Sequence, residues 1–478
     1  MEPDAGGLDP QDWTALRALG HRMVDDMVDH LAGVRERPVW QPMPQALRAE
    51  LTAKLPRAPS EPEAVYAQFR RLIEPYATGN THPRFMGWVH GGGNPVGMLA
   101  ELLAAGLNAN LGGRDHAPIE VERQVIGWAA EMLGLPNETS GLLVTGTSIA
   151  NLIAVLVART AALGPAVRRD GVGAGKKLVA YASAAAHGCV SRAMDMAGLG
   201  TGALRLIACD ADGRMVLPAL AETVARDRAA GIVPFMVVGT AGSVDIGAID
   251  DLAGLAGFCR AEGLWLHVDA AFGAMAALSP VLRPLLAGIE QADSIAFDFH
   301  TWAQLPYDCG CILVRDPAAQ LAAFAAPAAY LRRENRGLAG GHPWPCDLGP
   351  DLSRGFRALK VWMTLLVYGA DRLGAVVEQC CALARALAAR VDAEPALERL
   401  APVALNIVCF RFIAAAGDLD ALNVAIVADL QEAGVAAPST TTIGGQLAIR
   451  AAIVNHRTRS EDIEALVAAV IRAGEARI

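Results

Sequence analysis

The sequence predicts an α/β protein: a mostly parallel seven-stranded sheet covered on both faces by helices, followed by a small C-terminal α+β domain. Three observations carry this. Between residues 140 and 315, apolar runs at 142–145, 177–182, 204–208, 234–240, 264–269, 294–298 and 311–314 alternate with helical stretches. The runs are continuously apolar instead of alternating, which is the pattern of strands buried on both faces. After residue 369 the order becomes helix, strand (404–412), helix, strand (446–451), helix.

Taken from the N-terminus, Asp9-Pro10 reads as a cap and first turn. Trp13, Leu16, Met23, Met27 and Leu31 then recur at helical spacing, so an amphipathic helix with an apolar stripe in need of a partner is expected. Residues 35–60, rich in Pro and Arg, read as an extended connector before a second helix over 61–75. The run at 311–314 follows its predecessor after about a dozen residues, too few for a helical crossover, so it should pair differently from the others. A Gly- and Pro-rich loop (334–351) precedes a helix expected to begin near Ser353 and to continue past Trp362. The division that follows is 1–78, 79–368 and 369–478.

Composition narrows the function. A formal net charge of −9 argues against nucleic-acid and anionic-membrane partners, and no basic stripe or aromatic platform is present. The apolar stretch 150–158 is short of the roughly 18 residues of a membrane span. The N-terminus has neither a basic nor an apolar region of the secretory kind. Nine cysteines form no CxxC pair and no zinc spacing, which suggests reduced thiols in a cytoplasmic protein.

Four strand ends carry polar groups, and ligands of parallel sheets gather at such ends. Thr145-Gly146-Thr147-Ser148 opens a helix whose free N–H groups suit a phosphate, although Ser and Thr are also ordinary caps. His187 follows the strand 178–181, where an imidazole either packs or stacks on an aromatic ligand. Asp269 closes Leu264-Trp265-Leu266-His267-Val268; a buried carboxylate needs a partner, and a pyridinium nitrogen is one candidate. A metal held by His267 and Asp269 competes, but two ligands without a third make a poor site. The fourth end is Asp298-Phe299-His300-Thr301-Trp302.

Together these segments resemble the group II pyridoxal-phosphate-dependent amino-acid decarboxylases, the family of the aromatic-L-amino-acid, histidine and glutamate enzymes. The resemblance extends from His82-Pro83-Arg84-Phe85 through His267-Val268-Asp269-Ala270-Ala271 to Arg357-Ala358-Leu359-Lys360 and Asn455-His456-Arg457-Thr458. It implies the aspartate-aminotransferase fold (fold type I), pyridoxal 5′-phosphate (PLP), a small amino-acid substrate, and a homodimer with shared active sites. Residues 1–78 would then pack on the partner subunit. It also implies that Thr147 and Ser148 hold the phosphate, His187 stacks on the ring and Asp269 pairs with the ring nitrogen. Ser243, Ala271, Asp298 and His300 would lie beside the cofactor, with His187 and His300 as catalytic groups. Phe85 and Trp88 become possible pocket walls for an aromatic or other apolar amino acid, or simply packing residues.

The family's motif places lysine where this chain has Thr301. A hydroxyl cannot condense with the cofactor aldehyde, so PLP is expected to bind without a covalent link, with turnover slowed or altered. Three origins stay open: an engineered trap, a natural pseudoenzyme or regulatory subunit, or chemistry that does without lysine. Ser243 and Val244 replace the family's paired threonines, and the loop 334–349, with Gly340, Gly341, His342 and Trp344, lacks the family's tyrosine. A serine esterase is the rival: His90-Gly91-Gly92-Gly93 resembles an oxyanion loop, and Gly146-Thr147-Ser148-Ile149-Ala150 is one residue short of a nucleophile elbow.

Overall fold

The computed structural model describes residues 7–173, 177–325, 334–341 and 343–478; His342 of the loop and the first six residues lie outside them. The strands are β1 (Phe85–Met86), β2 (Ser140–Val144), β3 (Leu178–Ser183), β4 (Leu204–Ile207), β5 (Val233–Thr240) and β6 (Trp265–Asp269). They continue with β7 (Ser294–Asp298), β8 (Gly310–Val314), β9 (Leu397–Arg399), β10 (Ile407–Phe412), β11 (Ala437–Ile443) and β12 (Gln446–Ala452).

Seven of these form one sheet in the order β2-β8-β7-β6-β5-β3-β4. Neighbours from β7 to β4 are parallel, and β8 runs antiparallel to both β2 and β7. The short connection after β7 explains the reversal: it holds one turn of helix, Phe299–Trp302, and no crossover. Alternate residues of each strand feed two cores. Leu142, Val144, Ala180, Ala182 and Val238 pack on the helix Thr147–Leu163. Leu143, Val179, Tyr181, Val237 and Val268 pack on the opposite face, with the helices Ala117–Leu133 and Leu252–Glu262.

The second sheet has the order β1-β11-β12-β10-β9 and carries the helices Leu419–Glu432 and Ser460–Glu475. Sequence reading found two of its strands. Its other members, β1, β9 and β11, are either very short or rich in Thr and Ser, so no apolar run marks them. Phe85 and Met86 pair with Ala437 and Pro438, which ties the segment after His82 to the C-terminal sheet.

Three boundaries differ from expectation. The first helix is Trp13–Ala32 and its cap is Asp12, whose carboxylate accepts from the N–H groups of Thr14 and Ala15. The connector 35–60 contains a short helix, Gln45–Glu50. The helix expected from Ser353 begins at Ala358. Arg354 is the reason: its buried guanidinium is bound to Glu122 and to the carbonyls of Leu111 and Leu143, and its N–H donates to Asn110 Oδ1. Those anchors hold the preceding backbone out of the helix.

Candidate active site

Strand register brings the polar ends together. Thr240 lies opposite Asp269 and Asp269 opposite Ala296; Asp298 and Val144 both lie opposite Gly310. A cavity of about 540 Å³ opens over these ends, and Thr147, Ser148, His187, Asp269, Ala271, Asp298, His300 and Thr301 line it. Gly310 is required there, because a Cβ would lie 2.5 Å from Gly146 Cα.

At one end of the cavity stands the N-terminus of the helix Thr147–Leu163. The Thr147 N–H donates to Asp298 Oδ1 at 2.8 Å, and those of Ile149 and Ala150 return to the Gly146 carbonyl. Among the described residues this leaves the Ser148 N–H as the first-turn donor without an acceptor, beside its exposed hydroxyl. The buried Thr240 hydroxyl on the same cavity also lacks a partner. Burial pushes the Asp298 carboxyl up to about 7, against hydrogen bonds from Thr147 that pull it down.

At the other end Asp269 is buried, and among the described residues its carboxylate is hydrogen-bonded by neutral donors only. Oδ2 accepts from Asn151 Nδ2 at 3.0 Å and from Cys189 Sγ at 3.7 Å, and Oδ1 accepts from the Ala271 N–H at 3.2 Å. Burial raises its pKa, and the Asn151 and Ala271 donors oppose the rise. His267 is hydrogen-bonded through both nitrogens, to Ser294 and to Asn151, so Asn151 bridges it to Asp269 where a shared metal was one reading.

His187 caps the helix Gly188–Met196, with Nδ1 accepting from the Cys189 N–H. His300 Nδ1 accepts from the Cys309 N–H at 3.0 Å, its Nε2 lies 3.5 Å from Asp298 Oδ2, and burial lowers its pKa to about 4. The His300 ring centroid is 4.3 Å from that of Tyr307. Tyr307, His90 and Trp88 form an aromatic wall on the cavity. Phe85 stands behind it, stacked on His90. Ser243 departs from expectation: it does not line the cavity, and its hydroxyl accepts from the Ala248 N–H to close a turn.

Thr301 is buried and faces the same cavity. The chain has four lysines, Lys54, Lys176, Lys177 and Lys360. None lines the cavity among the described residues, and Lys360 is held by Glu101. The glycine loop has a packing explanation. A Cβ on Gly91 would lie 2.1 Å from the His300 carbonyl oxygen, and one on Gly92 would meet the Asn455 side chain at 2.7 Å. The Gly92 N–H is taken by Gln304 Oε1. No histidine hydrogen-bonds Ser148 among the described residues, so the nucleophile–base pair of an esterase is not assembled.

Sequence reading missed Asn151, Cys189 and Tyr307 at this site. A usable signal existed for Asn151 alone: an amide one turn after Ser148, inside an otherwise apolar helix.

The fold and the cavity define a PLP-dependent protein of fold type I. The donor set suits that cofactor: a helix N-terminus with the Ser148 N–H and exposed hydroxyl for a phosphate, and a buried carboxylate that among the described residues lacks a cation, for a ring nitrogen. The chain belongs to the pyridoxal-dependent decarboxylase family, whose conserved domain matches residues 44–413. It is 33% identical over 457 residues to an aromatic-L-amino-acid decarboxylase of Bacillus atrophaeus, covering 94% of this chain and 93% of that protein. An aromatic-L-amino-acid decarboxylase of Sus scrofa is 32% identical, covering 97% and 98%. A solved structure of Oryza sativa TDC with PLP and tryptamine superposes with a TM-score of 0.89 at 26% identity, covering 98% of this chain and all of that one. By family the chain is a PLP-dependent carboxy-lyase. No helix among the described residues is long and apolar enough to cross a membrane.

Proposed function

We propose that this chain binds PLP without a covalent link and acts on an aromatic L-amino acid, with decarboxylation slowed or redirected by Thr301. The observation that carries the reading is a cavity with a helix N-terminus at one end, a buried carboxylate at the other and, among the described residues, no lysine on its wall. When bound, PLP would supply an aldehyde able to take the substrate amine and a ring able to take the electron pair that departing carbon dioxide leaves on the substrate carbon. Ser148 holds the phosphate through its N–H and hydroxyl, with Thr147 beside it. Asp269 keeps the ring nitrogen protonated, and His187 covers one ring face. Trp88, His90 and Tyr307 receive an aromatic side chain and exclude water from it. Ala271 and His300 complete the wall, and Asp298 anchors the helix N-terminus.

The working unit in this proposal is a homodimer. Leu99, Leu102, Leu103 and Leu107 stand exposed on the helix Pro95–Leu107, and Leu366 and Val367 on the helix Ala358–Tyr368. Of the helix Trp13–Ala32, only Leu19 is fully buried within the chain, which supports packing of residues 1–78 on a second subunit.

Two measurements test the function. Purified protein should bind PLP, yet borohydride should leave no cofactor attached after denaturation; failure to bind PLP sinks the proposal. Thr301→Lys should fix the cofactor to residue 301 and raise carbon dioxide release from aromatic amino acids by about two powers of ten or more. A Thr301→Lys protein that carries the cofactor but releases no carbon dioxide from any amino acid points to a non-catalytic PLP-binding or regulatory subunit.

A further inference from the structure

The cofactor site has a buried polar line behind it. Trp265 Nε1 donates to Ser294 Oγ at 2.8 Å, and Ser294 Oγ is 2.8 Å from His267 Nδ1. His267 Nε2 is 2.7 Å from Asn151 Oδ1, and Asn151 Nδ2 donates to Asp269 Oδ2 at 3.0 Å. Ser294, His267 and Asn151 are all almost fully buried. An indole N–H can only donate and an ionised carboxylate can only accept. With Trp265 donating to its oxygen, Ser294 has its own proton to give to His267 Nδ1. His267 is then the Nε2–H tautomer and donates to Asn151, whose amide is left with its N–H groups for Asp269 and for Cys189 Sγ at 3.1 Å. Every bond points toward Asp269. In the reverse polarity the His267 Nδ1–H would be given to Ser294 Oγ and to the Ser294 carbonyl, 3.2 Å away, but the Asn151 oxygen would then face Asp269, which requires a protonated Asp269.

We infer that Asn151 and His267 are positioning residues of the cofactor site: with Ser294 and Trp265 they form a chain of donors that holds Asp269 ionised, with one oxygen edge fixed, for the ring nitrogen of PLP. This rests on the reading of Asp269 as the partner of that nitrogen. The line crosses three elements, the helix Thr147–Leu163, β6 and β7, so the state of the carboxylate is set partly by a side chain two strand positions upstream of it on β6 and partly by one on the next strand. Neither Asn151 nor His267 lines the cavity, so both act through Asp269.

The test uses PLP labelled with ¹⁵N in its ring, bound to the full chain and followed by NMR across pH. In the parent protein the ring nitrogen should be protonated at pH 8. Asn151→Leu and His267→Phe should lose that signature and weaken PLP binding by about tenfold to a hundredfold, the scale on which outer partners of a ligating group act. His267→Gln, whose amide N–H can still donate to Asn151, should keep the nitrogen protonated, which a purely space-filling role for His267 does not require. Retention of the protonated nitrogen in both Asn151→Leu and His267→Phe overturns the inference. Asp269→Asn separates the premise from the inference: if it too leaves the nitrogen protonated, the reading of Asp269 fails instead. Should the larger changes prevent folding, Ser294→Ala should lower the pH at which the ring nitrogen deprotonates, and an unchanged titration overturns the inference equally.

Discussion

Thr301 changes the chemistry of its position while leaving the packing around it in place. The residues on either side are buried, and the glycine loop lies directly on the His300–Thr301 backbone. Gly91→Ala should therefore destabilise the protein by about 1–3 kcal/mol in urea unfolding, the usual cost of overpacking against a backbone that cannot retreat. An unchanged midpoint would show that the loop is free to move. Asp298 makes a second prediction at this scale. Its folded pKa, about 7, lies above the ordinary 3.8, so the folded state holds this proton more tightly than the unfolded chain does. Its contribution to stability is thus most favourable in acid and declines as pH rises from about 4 to about 7. Asp298→Asn, which keeps an oxygen for the Thr147 N–H, should gain stability relative to the parent across that window. Unfolding curves of both proteins at pH 5 and pH 8 should diverge; curves that stay parallel would remove burial as the cause.

At the scale of elements, polar anchors decide what hydrophobic patterning leaves open. The segment before Ala358, Ser353-Arg354-Gly355-Phe356-Arg357, stays outside the helix: Gly355 weakens any helix there, and Arg354 reaches into the protein to Glu122. Glu122→Leu should cost about 3–5 kcal/mol, since it strands a buried guanidinium, and a double change with Arg354→Met should recover most of the loss. If the single variant unfolds at the parent's denaturant concentration, the anchor is not holding this segment. The same contrast governs legibility. Six of the seven strands of the large sheet were visible in sequence because each is almost wholly buried and mostly apolar; β4, an edge strand with Arg205 and an exposed Leu206, was visible only through its Leu and Ile residues. Strands β9 and β11 were not: β9 is a three-residue edge strand with two exposed charged residues, and β11 is rich in threonine, so pairing partners define them more than composition does.

For the whole molecule, the exposed leucines of the helix Pro95–Leu107 and the open stripe of the first helix are the surfaces on which the proposed dimer would rest. Analytical ultracentrifugation should find a dimer, and Leu102→Glu with Leu103→Glu should yield monomers with reduced PLP affinity, because the sites are proposed to be shared. A monomeric parent would refute the shared site without touching the cofactor assignment.

By itself, the sequence determined the α/β class, the seven core strands, the family resemblance and the missing lysine, since each is written in local composition or in a short motif. It also placed Thr147, Ser148, His187, Asp269, Asp298 and His300 at strand ends, where the register does bring them to one cavity. Only the tertiary structure decided which hydroxyls face that cavity: Ser243 turns away to close a loop, and Asp298 occupies the Thr147 N–H. It alone joined Trp265, Ser294, His267 and Asn151 to Asp269. The physical reason is common to these cases. Burial of apolar residues follows a periodicity that a linear sequence displays, whereas a hydrogen bond between a helix and two strands depends on distances that exist only after the sheet has formed.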